Sequence, residues 1–404
     1  MHATRHEQVN TWITTVSSQM PHLSKPQATV LALWSFAAVI AQSASMILSA
    51  LLLAGLLGQK VNTLRQRLKE FYKPKTAKKG DQRQELDVEA CFAPLLSWVL
   101  RLWPSQQIAL ALDPTLCRDR FVCLSVSLVY DGGSIPLAWT ILPANTKGAW
   151  KPHWGPLLGQ LKQAMPSSLV VIVLCDRGLF ARDLFAEIQA LGLHPMMRLN
   201  KLGTWQPLGQ SQWYGLPQVL PHAGCCYRGA GVLFKSKGKQ LRCTLVAVWE
   251  VGYAEPWYLA TDLAPAVCTG AWYGLRAWIE QGFRCIKSFG MQWERCRITE
   301  VERLERLWLV YALALLWTQA IAGQIEADSQ ALVAFGLRVS DLRDRRGRRI
   351  SRFRLGFVLI LVALLNRVGL PMPEALHPAP WPVTVGCRRV HLVKEQQAPK
   401  NLPL

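Results

Sequence analysis

The run Leu169–Cys175, LVVIVLC, constrains the fold more than any other stretch of this chain. Its residues are all apolar and mostly β-branched, with no polar face to offer water. That pattern predicts a central strand covered on both sides, as in an α/β sheet with helices on its faces. An acid, Asp176, follows at once. The preceding sequence agrees. Ile108–Asp113, IALALD, is a second apolar run that ends in an acid. Phe121–Tyr130 and Ile135–Leu142 are β-rich and flank the turn Asp131-Gly132-Gly133, a hairpin pattern. Trp154–Met165 and Leu179–Leu191 read as helices and His194–Leu199 as another strand. The order is an antiparallel meander continued by parallel crossover units. Asp113 and Asp176 then stand at the C-terminal ends of two strands and converge if those strands are parallel neighbours.

At 404 residues the chain is long enough for two or three domains. Residues 1–100 read as a helical N-terminal domain expected to contact DNA. Residues 101–325 read as an α/β domain, with a β-rich insertion at about 200–265 where Gly, Trp and Tyr punctuate short strands such as Arg242–Glu250. Residues 326–404 read as a basic helical region with a Pro-rich tail from Pro371. The formal net charge of +20 favours a polyanionic partner. Two stretches concentrate it. One is Lys60–Lys79. The other holds Arg338, Arg343, Arg345, Arg346, Arg348, Arg349, Arg352 and Arg354 against Asp341 and Asp344.

Ala28–Gly58 carries no charge and is long enough to span a bilayer. Its Ser residues and Gln42 point instead to two buried helices meeting near Gln42–Ser45, so no stable membrane association is expected. The eleven Cys contain no C-x-x-C pair and read as reduced thiols of a cytoplasmic protein. His222, Cys225, Cys226 and Cys243 could form a zinc cluster, but their spacing fits no standard site.

The segment Tyr273–Lys287 carries the most chemistry. At about 100° per residue, Tyr273, Arg276, Glu280 and Lys287 fall within an arc of roughly 60°. Leu275, Trp278, Ile279, Ile286 and Phe289 take the other side. Asp113, Asp176 and Glu280 together are three carboxylates of the kind that hold two Mg²⁺ or Mn²⁺ ions about 4 Å apart for in-line attack on phosphorus. The spacing Tyr-x2-Arg-x3-Glu-x6-Lys, with the Leu-Asp113 and Cys-Asp176-Arg177-Gly178 turns, resembles the insertion-sequence-four family of DDE transposases. Trp257–Asp262 resembles the strand before that family's catalytic helix. The likeness covers about residues 100–325.

The resemblance implies a ribonuclease-H-like core with the insertion between the second Asp and the Glu. It implies Mg²⁺-dependent cut-and-paste transposition, with double-stranded DNA, both transposon ends and target, as partner. Two protomers on paired ends would form a homodimer. Asp113, Asp176 and Glu280 would be catalytic and bind metal, while Tyr273, Arg276 and Lys287 would bind DNA phosphates. A Trp of the insertion, from among Trp205, Trp213 and Trp249, would hold a flipped base. Two alternatives stand beside this: a DNA-binding remnant that no longer cuts, and a nuclease of the same fold with another DNA substrate.

Overall fold

In the computed structural model of the chain, the described residues are 5–78, 84–144, 150–343, 345–383 and 386–392. Lys79, Asp344 and the end of the Pro-rich tail, 393–404, lie outside them. The chain divides into two compact units. The first joins Met1–Val170 to Arg276–Pro380, and the second joins Val171–Leu275 to Trp381–Leu404.

Five helices come first: α1 (Arg5–Gln19), α2 (Lys25–Ala41), α3 (Met46–Leu57), α4 (Val61–Tyr72) and α5 (Phe92–Leu102). The strands β1 (Gln107–Cys117), β2 (Phe121–Tyr130) and β3 (Gly133–Pro143) follow, then α6 (Lys151–Lys162). The second unit holds β4 (Val170–Cys175), α7 (Arg182–Ala190), β5 (His194–Arg198), β6 (Thr204–Pro207), β7 (Tyr214–Gly215), α8 (Leu216–Val219), β8 (Cys225–Leu233), β9 (Leu241–Trp249) and β10 (Trp257–Thr261). The chain returns to the first unit as α9 (Ala277–Ile286), α10 (Val301–Ala327), α11 (Ser329–Ala334) and α12 (Arg352–Leu365), and β11 (Arg388–Arg389) closes the second.

The first unit is built on an antiparallel meander. β1 pairs β2 with Asp113 opposite Ser125, and β2 pairs β3 with a bulge between Val126 and Ser127. α10 is buried on nearly every side from Leu304 to Ile325, as a core helix is. It is long and apolar enough to cross a membrane, yet is almost entirely buried here. Trp317 on α10 stacks on Trp12 at 4.2 Å between ring centroids. Buried Arg306 ties α10 to the N-terminal helices by donating to Tyr72 O (2.9 Å) and Leu86 O (3.3 Å) and by pairing with Glu85. α12 crosses α10 so closely that a Cβ at Gly356 would lie 1.9 Å from the Thr318 carbonyl oxygen.

The uncharged N-terminal stretch does break where its polar residues predicted. α2 and α3 meet at 99°, with Gln42 in the left-handed region (φ 46°). α2 is buried along most of its length. α3 buries only one face, through Ser49, Ala50 and Leu53, and leaves Ile47, Leu48 and Leu51 exposed. The expectation of two buried helices therefore holds for α2 alone, because α3 lies on the outside of the helical layer.

In the second unit β4 and β5 are parallel, with Ile172 opposite His194 and α7 as the crossover. β10 then pairs β5 and β9 antiparallel, β9 pairs β8, β8 pairs β6, and β6 pairs β7. β11 adds to β8 in parallel. The stretch at about 200–265 expected to be β-rich supplies β6 to β10. All eleven Cys are free thiols. Burial holds the Cys268 thiol up at about 11 and Cys285 at about 12, as expected of core fillers rather than reactive groups.

Candidate active site

Asp113 does not end its strand. The ladder between β1 and β2 continues through Pro114 to Cys117 opposite Phe121, so the carboxylate projects from mid-strand. The apolar run stops at Asp113, but alternate residues beyond it still face the core, and Cys117 is wholly buried. Ser125, opposite Asp113, is itself buried, and its hydroxyl lies 3.0 Å from that of Ser127.

α9 brings Arg276 to Asp113 and Glu280 to Arg276. Arg276, its N-cap residue, places Nη2 2.6 Å from Asp113 Oδ1. The two side chains are 14% and 13% exposed, so this charge-assisted bond is largely sheltered from water. The same guanidinium stands 3.8 Å from Glu280 Oε1 through Nη1. Glu280 lies in the first turn of α9, where the helix dipole favours a negative charge, and its side chain is 59% exposed. The first unit therefore gathers Asp113, Arg276 and Glu280 into one cluster, with the arginine between two carboxylates.

The sheet holds α9 close through a glycine. Gly282 is buried, and a Cβ there would lie 2.8 Å from Ser134 Oγ and 3.0 Å from Ser134 Cβ on β3. Phe283 and Ile286 complete the buried face, Phe283 edge-on to Trp308 at 6.4 Å. Sequence reasoning passed over Gly282. Its signal was available, because Gly inside a helix costs about 1 kcal/mol against Ala and asks for a packing reason.

The single helical arc predicted for Tyr273–Lys287 is not what forms. Gly270–Arg276 is 3-10 helix, α-helix begins only at Ala277, and Lys287 is the C-cap with ψ −89°. Rotation per residue changes between the two helix types, so a wheel drawn at one period misplaces the ends. Tyr273, in the second unit, is 5% exposed and packs edge-on against Trp257 at 5.2 Å. Phe289, expected on the buried face, lies beyond the helix and is 68% exposed.

In the second unit Asp176 follows β4 directly, as expected. Its Oδ1 accepts from the Leu179 N–H at 2.9 Å, closing the turn Asp176–Leu179. A Cβ at Gly178 would meet Asp176 Oδ1 only at ordinary contact distance, 3.4 Å, so the turn does not itself demand glycine there. Arg177 and Arg198 both face Glu255, at 3.9 and 3.8 Å. Asp262, at the end of β10, lies 3.2 Å from His194 Nδ1, a pairing the sequence did not suggest.

Among the candidate Trp residues, Trp205 is fully buried and its indole N–H donates to the Tyr227 hydroxyl at 3.1 Å, so it is a core residue of the second unit. Trp249 donates to Tyr253 O at 2.9 Å, and both it and Trp213 are half-buried. His222 lies 3.6 Å from Cys225 Sγ. However, among the described residues no three His, Cys, Asp or Glu side chains gather closely enough to hold a metal ion, so the zinc cluster is not formed.

The family described as "Transposase DDE domain" matches residues 111–317, just over half of the chain, from β1 into α10. The chain belongs to that family. Asp113, Asp176, Arg276, Glu280 and Lys287 all fall within the matched residues. DDE transposases are nucleases and strand-transfer enzymes that generally use divalent metal ions. No curated protein matches the chain. Among solved structures, the cryo-EM structure of a piggyBac transposase synaptic complex with hairpin DNA aligns over 89% of this chain and 78% of that one. At 11% identity and a TM-score of 0.39, that likeness is too slight to argue from.

Proposed function

We propose that this DDE transposase is an insertion-sequence-four-type enzyme that excises and inserts DNA by metal-dependent strand cleavage and strand transfer, with Asp113, Asp176 and Glu280 as its catalytic acids. The observation that carries the reading is the cluster of Asp113, Arg276 and Glu280, at 2.6 and 3.8 Å, inside the residues matched to the family. Asp176 joins them on the strength of the family match and its place directly after β4.

The donor set suits a hard divalent cation, since Asp113, Asp176 and Glu280 offer only carboxylate oxygens. Two Mg²⁺ ions, or Mn²⁺ in their place, would have to draw these acids closer than they stand in this structure, and would then supply activation of a water or 3′-hydroxyl and stabilisation of the leaving oxygen. Arg276 compensates the charge of Asp113 and Glu280 before substrate arrives and faces a flanking DNA phosphate once the acids have another cation. Lys287 neutralises a further phosphate, and Tyr273 donates its hydroxyl to the same backbone while its ring stays packed on Trp257. Trp213 and Trp249 are the insertion residues left to support a flipped base. The core is ribonuclease-H-like in this reading, and a homodimer acts on paired ends.

The test is nicking and linearisation of supercoiled plasmid in Mg²⁺ or Mn²⁺. Asp113→Asn, Asp176→Asn and Glu280→Gln should each abolish cleavage while duplex affinity stays within about threefold of the parent. Cleavage that survives any one substitution, or is lost only in step with binding, would remove that residue from the catalytic set. Matching inverted repeats in the DNA flanking the reading frame would support transposition over general nuclease action.

A further inference from the structure

The densest positive charge of the first unit lies between α11 and α12. There a short hairpin forms. Arg343 and Arg349 face each other across an isolated antiparallel bridge, and the Ile350 N–H donates to Leu342 O at 2.9 Å. Gly347 turns the chain with φ 74°, and Arg343 Nη1 donates to its carbonyl at 2.8 Å. Arg343, Arg345, Arg346, Arg348 and Arg349 are all exposed.

The arginines of this stretch have divided their work. Arg352 is structural: it is buried beneath the hairpin, its Nε 2.9 Å from Glu326 Oε2, and it lies over the Tyr130 ring at 5.6 Å. Ser351 caps α12 by accepting from the Arg354 N–H at 3.4 Å, and α12 is locked on α10 at Gly356. The hairpin is thus rooted in the core. The one described acid of the stretch, Asp341, accepts from the Arg338 N–H at 2.8 Å.

Two features point to a polyanion. First, like charges directly opposite on an antiparallel pair destabilise it, and the bridged pair here is Arg on Arg. A hairpin selected for its own stability would carry an apolar or oppositely charged pair there. Second, a groove of about 230 Å³ runs from the hairpin base to α9. Its lining includes Arg349, Arg352 and Phe353 from the hairpin and α12, Trp278, Gln281 and Gly282 from α9, and the acids Asp131 and Glu326; Glu326 is paired with Arg352, which leaves Arg349 as the exposed cation at its edge. These α9 residues adjoin Glu280 in sequence, but Trp278 and Gly282 lie about 160° from it around the helix, so the groove meets the face of α9 opposite the carboxylate.

We propose that Arg345, Arg346, Arg348 and Arg349 form a docking surface for the phosphate backbone of duplex DNA, gripping it beside the helix that carries Glu280. This surface is separate from the phosphate contacts of Arg276 and Lys287 and rests on the transposase reading. The contacts are to backbone and therefore independent of sequence.

The test uses the full chain and a fluorescein-labelled random 40-base-pair duplex, with anisotropy read across a salt series. Changing the four arginines to Gln should weaken binding at least about tenfold near 0.1 M salt and lower the slope of log affinity against log salt by roughly two to four units. Single Arg→Gln changes should each lower it by about one unit, and the four-Lys variant should keep most of it, because phosphate accepts either cation. The thermal midpoint should stay close to that of the parent. An unchanged slope in the four-Gln variant and in every single variant would overturn the proposal while leaving the transposase reading intact. A parent chain that binds no duplex at any salt would overturn both.

Discussion

Replacing Gly282 with Ala tests how the fold aims Glu280. The new Cβ would stand 2.8 Å from Ser134 Oγ and 3.0 Å from Ser134 Cβ, and turning the hydroxyl aside relieves only the first contact. Carbon atoms pack at about 3.5–4.0 Å, so α9 must retreat by roughly half an ångström or more. Overpacking of this kind costs about 1–3 kcal/mol, and the better helix propensity of Ala returns about 1 kcal/mol. Net stability should fall by no more than about 2 kcal/mol, small enough for the chain to remain folded. Activity should suffer more, because misplacing a reacting group by about 1 Å can cost about a hundredfold. Half that displacement at Glu280, two residues away, predicts a cleavage rate lowered roughly tenfold with duplex affinity unchanged. Single-turnover nicking at saturating protein measures this. Ser134→Gly removes both close atoms, and the next nearest is the Ser134 carbonyl oxygen at 3.5 Å, so the double variant should recover most of the rate lost. Full activity in Gly282→Ala, or no recovery in the double variant, would refute the idea that this contact aims the carboxylate.

Other consequences can be measured directly. Arg276→Ala should lower stability by about 1–3 kcal/mol, because it strips a charged partner from the sheltered Asp113, whereas Lys287→Ala should leave the thermal midpoint alone. Each should reduce the salt slope of binding to transposon-end DNA by about one unit, and equal stabilities in the two variants would contradict the structural share assigned to Arg276. Glu305 has its carboxyl held above the usual carboxylate range by burial, against the opposing pull of the Ile141 N–H and Thr140 hydroxyl that it accepts from. A raised folded-state value makes the ionised form destabilising, so the cost is full above the folded value and absent below the unfolded one. Glu305→Gln should therefore raise the thermal midpoint near neutral pH, with the gain vanishing on acidification through the carboxylate range; a gain that persists in acid would refute this. Trp205→Ala should destabilise the second unit by about 3–5 kcal/mol, while Trp213→Ala should change stability by less than about 1 kcal/mol, both read by chemical denaturation.

Much of this architecture is legible in the sequence because it is set locally. β4 could be read from an uninterrupted apolar run, β10 from a short β-like run of aromatic and apolar residues, and the break between α2 and α3 from the polar groups between them. Asp176 was legible for the same reason, since it sits where β4 runs out. The four-residue spacing from Arg276 to Glu280 could be read as well, because one turn of helix joins them. What the sequence could not decide depends on partners distant in the chain. Whether β1 stops at Asp113 is settled by β2, whose register carries the ladder on to Cys117. Whether Tyr273 faces solvent is settled by Trp257, and the change from 3-10 to α-helix at Ala277 defeats a projection at one period. The bond from Arg276 to Asp113 joins residues 163 apart, and the demand for glycine at 282 comes from a serine on another element. Periodicity reports which face of an element is apolar, but only packing fixes which atoms that face meets. For that reason the acids were visible from the sequence alone, while the arginine set between two of them was a product of the tertiary structure.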